Sequence, residues 1–345
     1  MMENQHLLSA GRLLSEEGNL AEAGYAFDLV KTYSRSDIKA PRSRIKEWDY
    51  YYVGNVNYGV ALTVADNGYM SLASISVLEF GEHPFDATRS IAGLFPMGKL
   101  HLPASSQQGD IHFQGKGFDI LFALQNGKRH LVASMDKLGK KKERFSCDIL
   151  LEPTSDKSMV IATPFKKTGH FYYNQKINNL RASGYAKLGD KVYDFNQNSY
   201  GVLDWGRGVW TYKNTWYWSS LNTEINGHPF GWNLGYGFGD TSAASENMLF
   251  VDGEALKLKD VIMDIPLTSS GRDDFLSSWR LRDKEGAIWV DFKPVYDRHA
   301  DVNALVLRSN QHQVFGLFSG RIDAGGKSYS FKDLPGFAEK VFNKW

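Results

Sequence analysis

Residues 50–80 read YYYVGNVNYGVALTVADNGYMSLASISVLEF, and this stretch decides the fold class. Two runs rich in Tyr, Val, Ile and Thr flank Asp66-Asn67-Gly68. β-Branched and aromatic side chains suit a pleated surface, and Asn-Gly readily takes the positive φ angles of a tight hairpin turn. The same event recurs at Asn126-Gly127, between 118–124 and 129–134, and at Asn226-Gly227, between 215–225 and 228–238. Gly189-Asp190, Asp252-Gly253, Glu285-Gly286 and Gly325-Gly326 are further turn signals. Short strands punctuated by turns therefore run from residue 45 or so onward. Two segments break the pattern. Leu7, Leu8, Leu13 and Leu14 are spaced for a short helix over residues 5–17, and residues 334–343 suit a turn or two of terminal helix.

About 16 to 18 strands are expected, more than one small barrel of ~8 can hold. The expectation is an all-β chain of two antiparallel barrel or sandwich lobes packed together. Residues 1–45 form an N-terminal arm, 46–165 a first lobe and 166–345 a second. The cut falls where strand patterning lapses, around 164–175.

Composition narrows the function. Forty basic and 39 acidic residues leave a net charge of +1, which disfavours nucleic acid or an anionic membrane as partner. The single cysteine, Cys147, excludes an intrachain disulfide and a cysteine-based zinc cluster, and reads as a small buried apolar residue. The nine histidines are dispersed without ligand spacing, so no metal is expected. No P-loop, GxGxxG, HExxH or GxSxG motif is present, and no cofactor is expected. No apolar run reaches the ~20 residues of a membrane span, and the first residues lack a basic-then-apolar leader. A cytoplasmic protein with a small-molecule partner, of open oligomeric state, is the expectation.

The candidate site lies in 200–250. Five of the nine tryptophans fall here (Trp205, Trp210, Trp216, Trp218 and Trp232), among glycines and the ionisable residues Asp204, Arg207, Glu224, Asp240 and Glu246. A carboxylate among aromatic rings is partly desolvated, which raises its pKa and suits it to proton transfer. Asp204 and Glu246 are the acid/base candidates, and Arg207 would pair with a carboxylate or polarise a carbonyl. The five tryptophans, with Asn233, Asp240 and Asn247, would form the walls. In a regular strand Asp204 and Arg207 face opposite sides, unless Gly206 and Gly208 host a bulge. The competing structural reading is an Asp204–Arg207 ion pair closing a barrel end. Trp216 and Trp218 share one strand face and Tyr217 the other, so this strand is buried on both sides.

The ordered blocks IKEWDYYYV, LDWGRGVW, WYW, NLGYGFGD, VFGLFSG and GFAEKVFNKW resemble the bacterial family called domain of unknown function 2804, from about residue 18 to the C-terminus. That resemblance implies lipocalin-like lobes, in a fold remotely similar to carotenoid 1,2-hydratases and lipocalin-type cyclases. It implies no catalytic residues, since the family has no assigned roles. Three functions are compatible with the residues: a cofactor-independent acid/base enzyme (hydratase, isomerase or cyclase) on a largely apolar molecule, a glycan-active enzyme with paired carboxylates, or a non-catalytic carrier.

Overall fold

The computed structural model describes residues 5–196, 198–304 and 307–344. These residues form two curled antiparallel sheets of 13 and nine strands, plus a short parallel pair. No α-helix is present among them, only 3-10 turns at Arg35–Asp37 and Arg42–Arg44. No helix is long and apolar enough to cross a membrane.

Both sheets share one plan. In the first, Ile45–Gly54, Tyr58–Asp66, Met70–Glu79 and Phe85–Leu94 meander outward. A second meander then starts at the far edge with Ile111–Gly115 and returns through Phe171–Leu188 to Tyr200–Val209, which pairs with Ile45–Gly54. The second sheet repeats this from Lys213–Ile225 to Lys327–Lys344, and again the first and last strands pair. Each sheet is thus a meander closed on itself along one ladder and open along one seam. The Asn-Gly turns occur where expected, with Asn126 at φ 53° and Asn226 at φ 53° followed by positive-φ glycines.

Three sequence expectations fail, each for a physical reason. Residues 5–17 make no helix: Leu8, Leu13 and Leu14 enter the first sheet's core, while the backbone bonds to Tyr25, Val30 and Thr32. Residues 334–343 are strand, because Lys327–Lys344 is bonded along both edges, to Lys213–Ile225 and Leu307–Ala324. The passage between sheets lies between Val209 and Lys213, not at 165/166. The lapse in patterning is a loop inside the first sheet, joining Met159–Pro164 to Phe171–Leu188.

The central strands are buried on both faces, and alternation assigns each side chain to one of two interiors. Leu203, Trp205 and Val209 enter the first sheet's core, whereas Val202 joins a separate apolar layer with Trp218, Phe315 and Phe337 of the second sheet. The ladders are continuous from Leu203 to Val209, so no bulge disturbs parity there. Arg207 accordingly points into the core, fully buried over the Trp205 ring at 4.3 Å. It bonds Asp49 Oδ1 at 3.0 Å and donates to the carbonyls of Trp48, Gly206 and Pro103. Burial pushes the Asp49 carboxyl up, and Arg207 opposes it.

Breaking such a pair leaves an uncompensated buried charge. Arg207→Met should therefore cost about 3–5 kcal/mol in urea unfolding. An unchanged midpoint with an unchanged slope would show that the pair is dispensable.

Candidate acid–base site between the sheets

Where the two sheets face each other, polar residues interrupt the apolar layer. Phe171–Leu188 sends Tyr172, Asn174 and Lys176 to this side, and Tyr200–Val209 sends Asp204. Lys176 and Asp204 are direct cross-strand partners, and their side chains form an ion pair at 2.7 Å. Asn174 Nδ2 donates to the other oxygen, Oδ1, at 2.6 Å. Among the described residues, every partner of the Asp204 carboxylate therefore comes from Phe171–Leu188.

The second sheet supplies the rest. The Lys176 ammonium lies 3.8 Å from the centre of a Trp218 ring, and Trp218 Nε1 donates to Asn233 Oδ1 at 2.7 Å. Asn233 Nδ2 in turn donates to the backbone carbonyl of Glu246 at 2.7 Å and lies 3.5 Å from its Oε2. Glu246 arrives on a loop, not a strand. Lys257 holds that loop by donating to the carbonyls of Ser245 and Asn247 on either side of Glu246, at 2.7 and 2.8 Å. The carboxylate rests against Gly235, where a Cβ would meet Oε1 at 2.6 Å, so any larger residue displaces it. Glu339, on Lys327–Lys344, completes the group. It accepts from Trp216 Nε1 at 3.1 Å and from Gln311 Nε2 at 3.5 Å.

Three carboxyl groups and one lysine thus share a nearly dry space. Burial pushes Glu339 up to about 7; Trp216 and Lys176 pull it back, and the Asp204 charge adds to the rise. Burial also raises Glu246, with Lys176 and Asn233 opposing and Asp204 adding. Behind it, burial lowers Lys257 to about 7. Tyr172 is pushed well above its ordinary value by burial and by all three carboxylates. Asp204 is thus ion-paired with Lys176, while burial raises Glu339 to about 7.

The residues expected from sequence distribute as follows. Asp204, Glu246, Trp216, Trp218 and Asn233 meet here. Arg207 stands on the opposite face of its strand, paired with Asp49 and not with Asp204. Trp205 and Trp232 are core residues of the first and second sheets. Trp210 packs edge-on against Trp48 and Phe238, beside Trp216. Asn247 is scaffold, accepting from Gly235 N and donating to the Lys259 carbonyl. Asp240 is an exposed turn residue whose contacts with Ser242 hold its carboxyl below the usual range.

Lys176, Asn174 and Glu339 escaped the sequence reading. Their signal was parity: in YYNQKIN the polar residues Asn174, Lys176 and Asn178 recur every second position. On a strand buried on both sides, such a stripe needs partners inside the protein.

The Glu339 carboxyl gives a pH signature. Its folded pKa lies above its unfolded value, so its stabilising contribution is full below about 4.5 and is lost as pH rises through about 7. Unfolding free energy should fall across that interval, and Glu339→Gln should flatten the fall. Urea titrations at intervals across this range test it; an identical pH dependence in both proteins would contradict it.

Solved structures show fold likeness. A protein of Nitrosomonas europaea described as a putative AttH is 10% identical, with a TM-score of 0.52 over 86% of this chain and 92% of that one. Kievitone hydratase from Nectria haematococca is 13% identical, with a TM-score of 0.49 over 92% and 97%. CghA with Sch210972 gives 9% and 0.45 over 98% and 97%. No curated protein sequence matches the chain. The family model described as domain of unknown function, DUF2804, matches residues 4–345, and the chain belongs to that family.

Proposed function

We propose that the protein is a cofactor-independent acid/base enzyme acting on a small, largely apolar molecule between the two sheets, by hydration, isomerisation or cyclisation. The observation that carries this reading is the unequal treatment of neighbouring carboxyl groups. Asp204 is answered by Lys176 at 2.7 Å, while Glu339 is buried among aromatic rings and held at about 7. General acids and bases work best with pKa values near the working pH. Glu339 gives a proton to a double bond or carbonyl oxygen, and Asp204 receives one from water or from a carbon of the substrate. Return of that proton to Glu339 restores the site, so no net oxidant or reductant is required. Trp216, Trp218, Tyr50 and Tyr172 supply the apolar surroundings, and Glu246 is a second proton carrier.

The paired-carboxylate glycan reading predicts an open row of aromatic faces. Trp205, Trp210, Trp218 and Trp232 are all buried, which counts against it.

Turnover is sought by incubating the protein with an apolar metabolite extract and following masses. The expected products carry one added water or keep the mass of their precursor. Asp204→Asn and Glu339→Gln should each slow formation by about 10²–10⁴-fold. The rate should also depend on a group ionising near 7 that Glu339→Gln removes. Ligands that co-purify unchanged, bind equally to both variants and never turn over would identify a carrier instead.

A further inference from the structure

Two recesses lie away from the carboxylate group. They open farther along the same strands, on the opposite side of a packed layer. Tyr50 leads along its strand to Tyr52 and Gly54, Trp218 to Ser220 and Asn222, and Glu339 back to Phe337 and Pro335. Val202 and Phe337 are fully buried in the layer between, where Phe337 meets the Trp218 ring at 4.9 Å.

Beyond this layer is a recess of about 220 Å³, formed jointly by both sheets. Its apolar walls include Tyr52 and Phe80 from the first sheet and Phe315, Leu317 and Pro335 from the second. Phe80 and Phe315 stack at 5.0 Å, and Tyr52 leans on Phe315 at 5.2 Å. Asn55, Val56 and Asn57 line its mouth and continue into a wider vestibule bordered by Asn196, Asn198 and Asn226.

Two features make the recess a built site. Tyr52 is only 8% exposed, lines the recess, and has no hydrogen-bond partner for its hydroxyl among the described residues. The hydroxyl lies over Gly54 and Gly59, where a Cβ on either would collide with it. That leaves the hydroxyl free to donate to a ligand oxygen in the recess. The recess itself is also lined by no charged side chain among the described residues. No lysine, arginine or histidine borders the recess or vestibule among the described residues. Of the two acidic side chains at the vestibule, Glu224 accepts from Tyr200 at 2.6 Å and pairs with Arg181, and Asp194 accepts from Asn196 N at 3.2 Å.

We infer that this recess is a binding site, separate from the carboxylate group, for a small uncharged molecule with an apolar body and an oxygen that accepts a hydrogen bond from Tyr52. The asparagine-rich mouth meets polar atoms at the molecule's outer end. Neither an anion nor a cation would find an opposite charge in the recess itself.

The uncharged naphthyl ketone prodan is a suitable probe, read by its fluorescence shift on entering an apolar site. One saturable site per chain is expected, with the anionic anilinonaphthalene sulfonate at least about tenfold weaker. Val56 is half exposed at the mouth, so Val56→Trp should block the recess without altering thermal unfolding. Tyr52→Phe keeps the ring and should weaken prodan about fivefold. Asp204→Asn and Glu339→Gln should leave prodan affinity within about twofold, which separates this site from the acid–base reading. The inference is overturned if prodan shows no saturable binding, if Val56→Trp leaves it intact, if the anion binds as tightly, or if affinity instead follows the carboxylate variants.

Discussion

The Lys176–Asp204 pair is the contact on which the inter-sheet polar group depends. An ammonium and a carboxylate taken out of water cost several kcal/mol each, and only close pairing with further hydrogen bonds offsets this. Because the two residues are direct partners in the central ladder, the pair also tests register. A slip of one residue would turn Asp204 into the first sheet's core and part the lysine from its ion-pair partner. The rest follows in sequence. The ammonium lies on the face of Trp218, Trp218 donates to Asn233, and Asn233 holds the loop that delivers Glu246.

The two buried glutamates feel the Lys176 ammonium and the Asp204 carboxylate together. The directions agree with that picture: Asp204 raises both glutamates, and Lys176 lowers both. The indole N–H groups of Trp216 and Trp218 serve as donors as well as packing surface. A tryptophan-rich strand can therefore be core and site at once.

Much of the architecture was legible because it depends on local chemistry. Asn126-Gly127 and Asn226-Gly227 force turns, and the β-branched and aromatic runs beside them have little alternative to a pleated sheet. Parity correctly put Asp204 and Arg207 on opposite faces. What stayed hidden is what depends on partners distant in sequence. Arg207 finds Asp49, and Asp204 finds Lys176, through ladders that no local pattern specifies. Glu339 was obscured by GFAEKVFNK, whose spacing fits a short helix equally well. Only the two neighbours bonded along its edges make it strand. Glu246 lies on a loop, where periodicity carries no information.

The ladder that closes each sheet also has a kinetic meaning. Ile45–Gly54 must find Tyr200–Val209, and Lys213–Ile225 must find Lys327–Lys344, across the longest separations within their sheets. Loop closure of this kind is an entropic cost met before the contacts that reward it, so both closures belong late in folding. Until then, the strands meant for closure present free edges that could pair with another chain. Asp204 and Glu339 ride on the two closing strands. The inter-sheet polar group is therefore among the last parts of the protein to exist, and its assembly reports completion of the fold more strictly than secondary-structure content does.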